Sequence, residues 1–137
     1  MSPCPRAPLP PERLSQPTEL FRLSARSARD LLRAGEITSV ELVDAAALRL
    51  AQVEPVVNAV PILCLDRAMG QAEDADRARR AGTTSLLEGL PIVVKDNNDV
   101  AGVRNTGGTA IFRDRISTES DRTVALMEAN GAITLGK

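Results

Sequence analysis

A lysine at the end of an apolar run is the residue of this chain best placed to do chemistry. Lys95 follows Ile92, Val93 and Val94, and three β-branched residues in a row are typical of a strand buried on both faces. Pro91 can open such a strand but could not lie in its middle. A lysine beside a buried strand must find an acidic partner or give up its proton. Lys95 is therefore either a structural lysine paired with Asp96 or Asp99, or a neutral amine that can accept a proton.

Four short segments around Lys95 form one pattern with fixed spacings: Gly89-Leu90-Pro91-Ile92, Lys95-Asp96-Asn97, Asp99-Val100-Ala101-Gly102-Val103 and Thr106-Gly107-Gly108-Thr109. This pattern resembles the amidase signature family, whose members hydrolyse amide carbon–nitrogen bonds with a Ser–cis-Ser–Lys triad. The resemblance runs from about residue 24 to residue 137 and is specific because many fixed spacings agree. The resemblance implies that Lys95 is the catalytic lysine of the triad.

The same resemblance places the two serines outside this chain. In the family they lie in a Gly/Ser-rich segment downstream of a Leu-Gly-Lys like Leu135-Gly136-Lys137, and this chain ends at Lys137. We therefore expect the N-terminal fragment of an amidase, inactive alone, whose complete form acts on a small-molecule amide. The alternative is a non-catalytic amidase remnant that acts only as an interaction or structural module.

The turn residues after Lys95 have plainer interpretations. Asx side chains commonly bind local backbone amides, so Asp96, Asn97 and Asp99 are expected to shape a turn. Gly107 and Gly108 are expected to serve backbone geometry. Asn98 and Asn105 depart from the family's usual residues at their positions. Residues 131–137 also fit the start of a phosphate-binding loop, but the Ser or Thr that should follow the lysine is absent. The family resemblance implies that Lys137 is a recurrent structural position and not the lysine of the triad.

Composition excludes several classes of site. The chain has 137 residues, a net charge of −1 and no histidine, so it can build neither a Ser-His-Asp triad nor a histidine-ligated zinc site. The aromatic residues are Phe21 and Phe112 alone, and no apolar run approaches a membrane span. We therefore expect no cofactor, no metal, no nucleic-acid partner and no membrane. Cys4 and Cys64 lie far apart, which fits a cytoplasmic protein without disulfides.

The sequence predicts a short disordered tail followed by one α/β unit. Six prolines in residues 1–17 favour an extended, mobile tail, and residues 18–137 form the N-terminal part of an amidase signature domain. Four helices are expected. The first runs from Ser24 or Ala25 to Ala34, and the second runs from the capping box Thr38–Glu41 to a stop at Pro55. The third runs from Asp66 to Ala81 with its charged face in solvent, and the fourth runs from Asp121 to Asn130 with Ser120 as N-cap.

Three strands complete the prediction. They are expected at residues 59–64, interrupted by Pro61, at residues 92–94, and at residues 132–135. The last two flank the fourth helix, which implies a parallel β–α–β unit. By resemblance these are the first strands of a larger mixed sheet layered between helices. An incomplete sheet leaves an open edge, through which the chain is expected to self-associate.

Overall fold

The structure, a computed structural model, describes residues 20–137. These residues form a parallel pair of strands packed between helices. In chain order the elements are α1 (Ala25–Ala34), α2 (Ser39–Val57), α3 (Leu65–Arg80), β1 (Pro91–Val93), α4 (Arg122–Ala129) and β2 (Ile133–Gly136), with 3₁₀ turns at Leu20–Arg22 and Ala110–Phe112. The predicted tail at residues 1–17, with Cys4, lies outside the described residues. No helix in the described part of the chain is both long and apolar enough to cross a membrane.

The first two helices begin where the sequence predicts. The hydroxyl of Ser24 accepts a hydrogen bond from the Ser27 amide, and Gly35 ends α1 in the left-handed conformation at φ 72°. The capping box of α2 is complete: the Glu41 amide donates to the Thr38 hydroxyl at 3.1 Å, and the Thr38 amide donates to the Glu41 carboxylate at 2.8 Å. Local sequence is enough to set both starts, because each cap uses residues three apart in the chain.

The predicted stop of α2 at Pro55 is wrong. The helix continues to Val57, and Asn58 ends it with a left-handed φ of 48° while its amide donates to the Glu54 carbonyl at 2.9 Å. Proline breaks a helix by removing one hydrogen bond and crowding the preceding turn. Only two helical residues follow Pro55, so the cap at Asn58 closes the final turn.

The predicted strand at residues 59–64 is replaced by an irregular segment that pairs with β2. Leu63 forms an isolated antiparallel bridge with Gly136, and the Ile62 backbone exchanges two hydrogen bonds with Lys137. Pro61 has no N–H to extend this ladder further. Cys64 is buried, and its thiol donates a hydrogen bond to the Thr134 carbonyl at 3.4 Å.

The parallel β–α–β unit is confirmed. β1 pairs with β2 in parallel, with Pro91 opposite Ile133 and Val93 opposite Gly136, and α4 precedes β2. β2 is buried along its whole length, but Val93 is 55% exposed. The expectation that β1 is buried on both faces is therefore wrong for this chain: among the described residues β1 has a strand neighbour on one side only.

Helices cover the two faces of the sheet, which confirms the α/β class. On one face, Ile133 and Leu135 pack against Val43 of α2 and against Ala68 and Ala72 of α3. On the other face the cluster comes from β1, α4 and the loops between strands: Ile62, Cys64, Ile92, Val94, Val100, Val103 and Val124. The small alanines of α3 let it lie close to β2.

Two predictions about helix surfaces are wrong. The charged face of α3 is not wholly in solvent, because Asp76 is buried and pairs with Arg79, whereas Asp74 and Arg77 form an exposed pair. Asp121, not Ser120, is the N-cap residue of α4; the Ser120 hydroxyl instead accepts from the Ala101 amide at 2.9 Å. The side chains of Asp76 and Ser120 thus each accept a hydrogen bond from a backbone amide that is distant in sequence, those of Ser39 and Ala101.

Candidate active site at the carboxyl edge of the strands

Lys95 and Lys137 lie at one edge of the sheet because β1 and β2 run parallel. Val93 is opposite Gly136, and the Val94 amide donates to the Gly136 carbonyl at 2.9 Å. Each lysine follows closely on the carboxyl end of its strand. In open α/β sheets this is the edge at which ligands bind.

The Lys95 side chain is exposed, which contradicts the expectation that it is buried beside the strand. Within residues 20–137 it forms no ion pair, so the alternative pairing with Asp96 or Asp99 is also wrong. The turn after Lys95 is closed by the Asn98 amide, which donates to the Lys95 carbonyl at 2.9 Å. The lysine therefore sits on a fixed turn with its amine in solvent.

Asp96 binds a distant loop rather than its own turn, which corrects the local role expected for it. Its carboxylate accepts hydrogen bonds from the Thr106 hydroxyl and from the Gly108 amide, the latter at 3.2 Å. Burial raises the pKa of Asp96, but the bonds from Thr106 and Gly108 and the charge of Lys137 outweigh it, so the pKa lies below its usual value. Asp96 is therefore an anion that ties the glycine loop to the turn of Lys95.

Lys137 is the buried lysine of this edge. Its side chain is fully buried, its Nζ lies 3.6 Å from Oδ1 of Asp96, and Nζ makes no hydrogen bond within the described residues. Burial lowers the pKa of Lys137 more than the carboxylates of Asp96 and Asp99 raise it. A structural role is expected for Lys137 from the sequence, but its contact with Asp96 is not. The predicted parallel pair could have revealed it, because it places the residues after both strands side by side.

Residues 131–137 do not form a phosphate-binding loop. Four of them are the strand β2, whose backbone groups are paired with the chain: the Ile133 amide donates to Leu90 and the Lys137 amide to Ile62, at 2.9 and 2.7 Å. A phosphate site needs free amides that converge on an anion. The rejection of this motif on sequence grounds is confirmed.

Asp99 holds the second half of the loop. It accepts hydrogen bonds from the Asn105 amide group, the Ser117 hydroxyl and the Arg115 guanidinium. The bonds from Ser117 and Asn105 lower the pKa of Asp99 below its usual value. Asn105, one of the two departures from the family pattern, is 1% exposed and also accepts from the Gly107 amide at 3.0 Å. It therefore fits the loop.

Gly107 and Gly108 have the backbone role expected of them. Both adopt positive φ, 55° and 73°, which disfavours other residues. This conformation lets the Gly107 and Gly108 amides reach Asn105 and Asp96. Two carboxylates, Asp96 and Asp99, thus fold residues 104–117 back toward Lys95.

Comparison with known proteins identifies the family. The profile of the Amidase family matches residues 41–137, which include Lys95, both loop aspartates and the glycine pair. The chain therefore belongs to the amidase family, as the sequence analysis predicts.

Individual relatives agree with this assignment. The chain is 41% identical over 120 residues to a glutamyl-tRNA(Gln) amidotransferase subunit of Roseiflexus sp. (strain RS-1), covering 88% of this chain and 25% of that protein. Among solved structures it is similar to a fatty acid amide hydrolase (28% identity, TM-score 0.82, covering 92% of this chain and 23% of that one). It is also similar to the peptide amidase of Stenotrophomonas maltophilia (28% identity, TM-score 0.81, 88% and 25% covered). The chain thus spans about a quarter of the length of these relatives.

Proposed function

We propose that this chain is the N-terminal part of a hydrolase of amide carbon–nitrogen bonds, in which Lys95 is the proton acceptor of a Ser–cis-Ser–Lys mechanism. The family match across Lys95 and its loop carries this proposal. The exposed position of Lys95 at the carboxyl edge of the sheet supports it, since an exposed amine is open to groups from a longer polypeptide.

The chemistry assigns one step to Lys95. A serine hydroxyl must lose its proton to attack an amide carbonyl, and a neutral lysine amine can accept that proton. In the proposed mechanism the second serine passes the proton from the nucleophile to Lys95. When the tetrahedral intermediate collapses, the amine part of the substrate leaves and carries that proton away. Water then hydrolyses the acyl-enzyme.

The described residues offer no serine to serve as the nucleophile beside Lys95. The Ser117 hydroxyl donates to Asp99, and the Ser120 hydroxyl accepts from Ala101. Ser85 packs near Gly131, before β2, and its hydroxyl accepts from the Glu88 amide at 3.1 Å. Ser85 is therefore at the opposite end of the strands from Lys95. On this basis we expect the 137-residue chain to hydrolyse no amide by itself.

The substrate proposal is limited to the amide bond itself, carried by a small molecule. Fatty acid amide hydrolase and peptide amidase share that bond in their names and little else about their substrates.

The test measures ammonia release from simple aliphatic and aryl amides. The 137-residue chain should release none above a Lys95→Ala control. The reading frame downstream of the Lys137 codon is then sequenced, and any longer product is assayed with the same amides. In that product Lys95→Ala and Lys95→Arg should each reduce turnover by about 10³-fold or more, because guanidinium cannot become neutral.

Arg29→Ala, at a partly exposed residue of α1 that pairs with its neighbour Asp30, is the matched control and should keep full turnover. Turnover by the chain alone above its Lys95→Ala control would contradict the proposed need for the missing serines. Near-normal turnover of the Lys95→Arg product would show that Lys95 supplies only charge. A stop codon directly after Lys137 would favour the non-catalytic alternative.

A further inference from the structure

The two lysines of this chain occupy opposite environments at the same sheet edge. All the other basic residues are arginines, fifteen of the 17 Lys and Arg. Lys95 is exposed and has no ion partner within the described residues, whereas the Lys137 side chain is fully buried against Asp96. Asp96, the residue that follows Lys95 in the chain, is therefore paired with Lys137.

Asp96 would otherwise be the natural partner of Lys95. It is the next residue in the chain, it is an anion, and 24% of its side chain is exposed. A carboxylate within reach of an exposed ammonium attracts it and favours its charged form. A lysine held charged in this way cannot accept a proton from serine.

We propose that Lys137 is a positioning residue for Lys95: its buried ammonium balances the charge of Asp96 and so keeps that carboxylate on the glycine loop and away from the Lys95 amine. The inference rests on the proposed function only for the importance of Lys95; the contact itself can be tested without catalysis. The charged groups that face Lys137 are Asp96, Asp99 and Arg115. Of these Asp96 forms the ion pair, while Asp99 is held by Asn105, Ser117 and Arg115.

The contacts of Asp96 explain how one pair can fix both sides of the site. Its carboxylate joins Lys137 to Thr106 and Gly108, and its backbone adjoins Lys95. The Lys137 backbone is itself fixed by two hydrogen bonds to Ile62. Lys137 is thus anchored to the sheet, and Asp96 connects that anchor to the loop.

The test measures how fast the Lys95 amine is acylated in the 137-residue chain. A brief pulse of an N-hydroxysuccinimide ester at fixed pH, followed by peptide mass spectrometry, gives one rate for each lysine. Wild-type Lys95 should react quickly and buried Lys137 slowly. In Lys137→Met the freed Asp96 carboxylate should pair with Lys95 and slow its acylation about two- to fivefold, the size of effect expected for an exposed ion pair.

Two further variants separate charge balance from simple packing. Lys137→Arg keeps the charge and should leave the Lys95 rate as in wild type. Adding Asp96→Asn to Lys137→Met removes the freed carboxylate and should restore the wild-type rate. A packing role for Lys137 predicts neither the slowing nor its rescue by Asp96→Asn.

An unchanged Lys95 rate in folded Lys137→Met, or a slowed rate that Asp96→Asn does not restore, would overturn the proposal. If Lys137→Met loses the far-UV circular dichroism of the wild type, Lys137→Gln is measured in its place, because it removes the charge but leaves a polar side chain beside Asp96. The same two outcomes then decide. Because no amide is hydrolysed in this experiment, its result is independent of whether the longer protein is an amidase.

Discussion

The carboxylate of Asp76, on α3, caps the amino end of α2 by accepting a hydrogen bond of 2.7 Å from the Ser39 amide. Its second oxygen accepts from the Val40 amide at 3.2 Å, and Arg79 pairs with the first. Amides at a helix start have no partner within the helix, and an anion there is further favoured by the helix dipole. This one buried side chain therefore joins the two helices that cover the sheet.

Asp76→Asn should lower the free energy of unfolding by about 1–3 kcal/mol, because one amide oxygen cannot replace two carboxylate oxygens and Arg79 is left without its partner. Asp74→Asn is the matched control. Asp74 makes the equivalent pair with Arg77 three residues on, but both side chains are about 70% exposed, so the change should stay within about 0.5 kcal/mol. Urea unfolding followed by circular dichroism measures both. Equal losses of unfolding free energy in the two variants would show that the cap stabilises the fold no more than an exposed ion pair does.

The same cap predicts how stability depends on pH. Burial raises the pKa of Asp76, but the bonds from Ser39, Val40 and Arg79 outweigh it and hold the pKa below the usual 3.8. A carboxylate with a lowered folded-state pKa stabilises the fold at pH values above the usual one, and this contribution is lost as pH falls through the folded-state pKa. Wild type should therefore lose stability below about pH 4 more steeply than Asp76→Asn. Parallel curves between about pH 5 and 2 would contradict this.

Gly89 and Gly70 form a second matched pair. Gly89 has a φ of 89°, and a Cβ there would overlap the Ser39 hydroxyl oxygen, so Gly89→Ala should cost about 2–4 kcal/mol of unfolding free energy from strain and overpacking. Gly70 lies inside α3 with open space around it, so Gly70→Ala should stabilise by about 0.5–1 kcal/mol. Thermal and urea unfolding of the two variants should move in opposite directions. A neutral Gly89→Ala would mean that the segment before β1 approaches Ser39 of α2 less closely than the structure shows.

The sequence predicted those features of the fold that depend on neighbours in the chain. The capping box at Thr38, the end of α1 at Ala34 and the parallel β–α–β unit all follow from local spacing. Asp76 could not be predicted in the same way. Its charged surroundings on α3 indicate an exposed face, and only the packing of α3 against α2 brings it to the Ser39 amide.

The candidate site also combines features that local sequence predicts with features that depend on packing. The motif located Lys95, and the parallel strands placed it at the edge where chemistry is expected. The sequence did not reveal which lysine is buried, because burial depends on what covers each strand: β2 lies between β1 and the segment at residues 62–64, whereas β1 lies at the end of the described sheet. Asp96 and Asp99 were expected to bind their own turn, but the hydrogen-bond partners of their carboxylates lie 6 to 18 residues away, and the ion partner of Asp96 is Lys137.

The open side of β1 predicts that the isolated chain self-associates. Ile92 packs into the core cluster that includes Val124 of α4. Side chains alternate between the faces of a strand, so Val93 lies on the opposite face, where it is 55% exposed. An unpaired edge with an exposed β-branched residue is a template for pairing with a second copy of the chain, and a lysine on such an edge opposes this pairing.

Light scattering of the purified chain should show a mass above that of the 14.6 kDa monomer, rising with concentration. Val93→Lys should shift it toward the monomer. Val56→Lys is the control, since Val56 is 88% exposed but belongs to α2 and not to a strand, and it should leave the association unchanged. A wild-type monomer with one sharp urea transition would show that the described residues form a self-sufficient domain, and equal effects of the two lysine variants would place the contact outside the edge of β1.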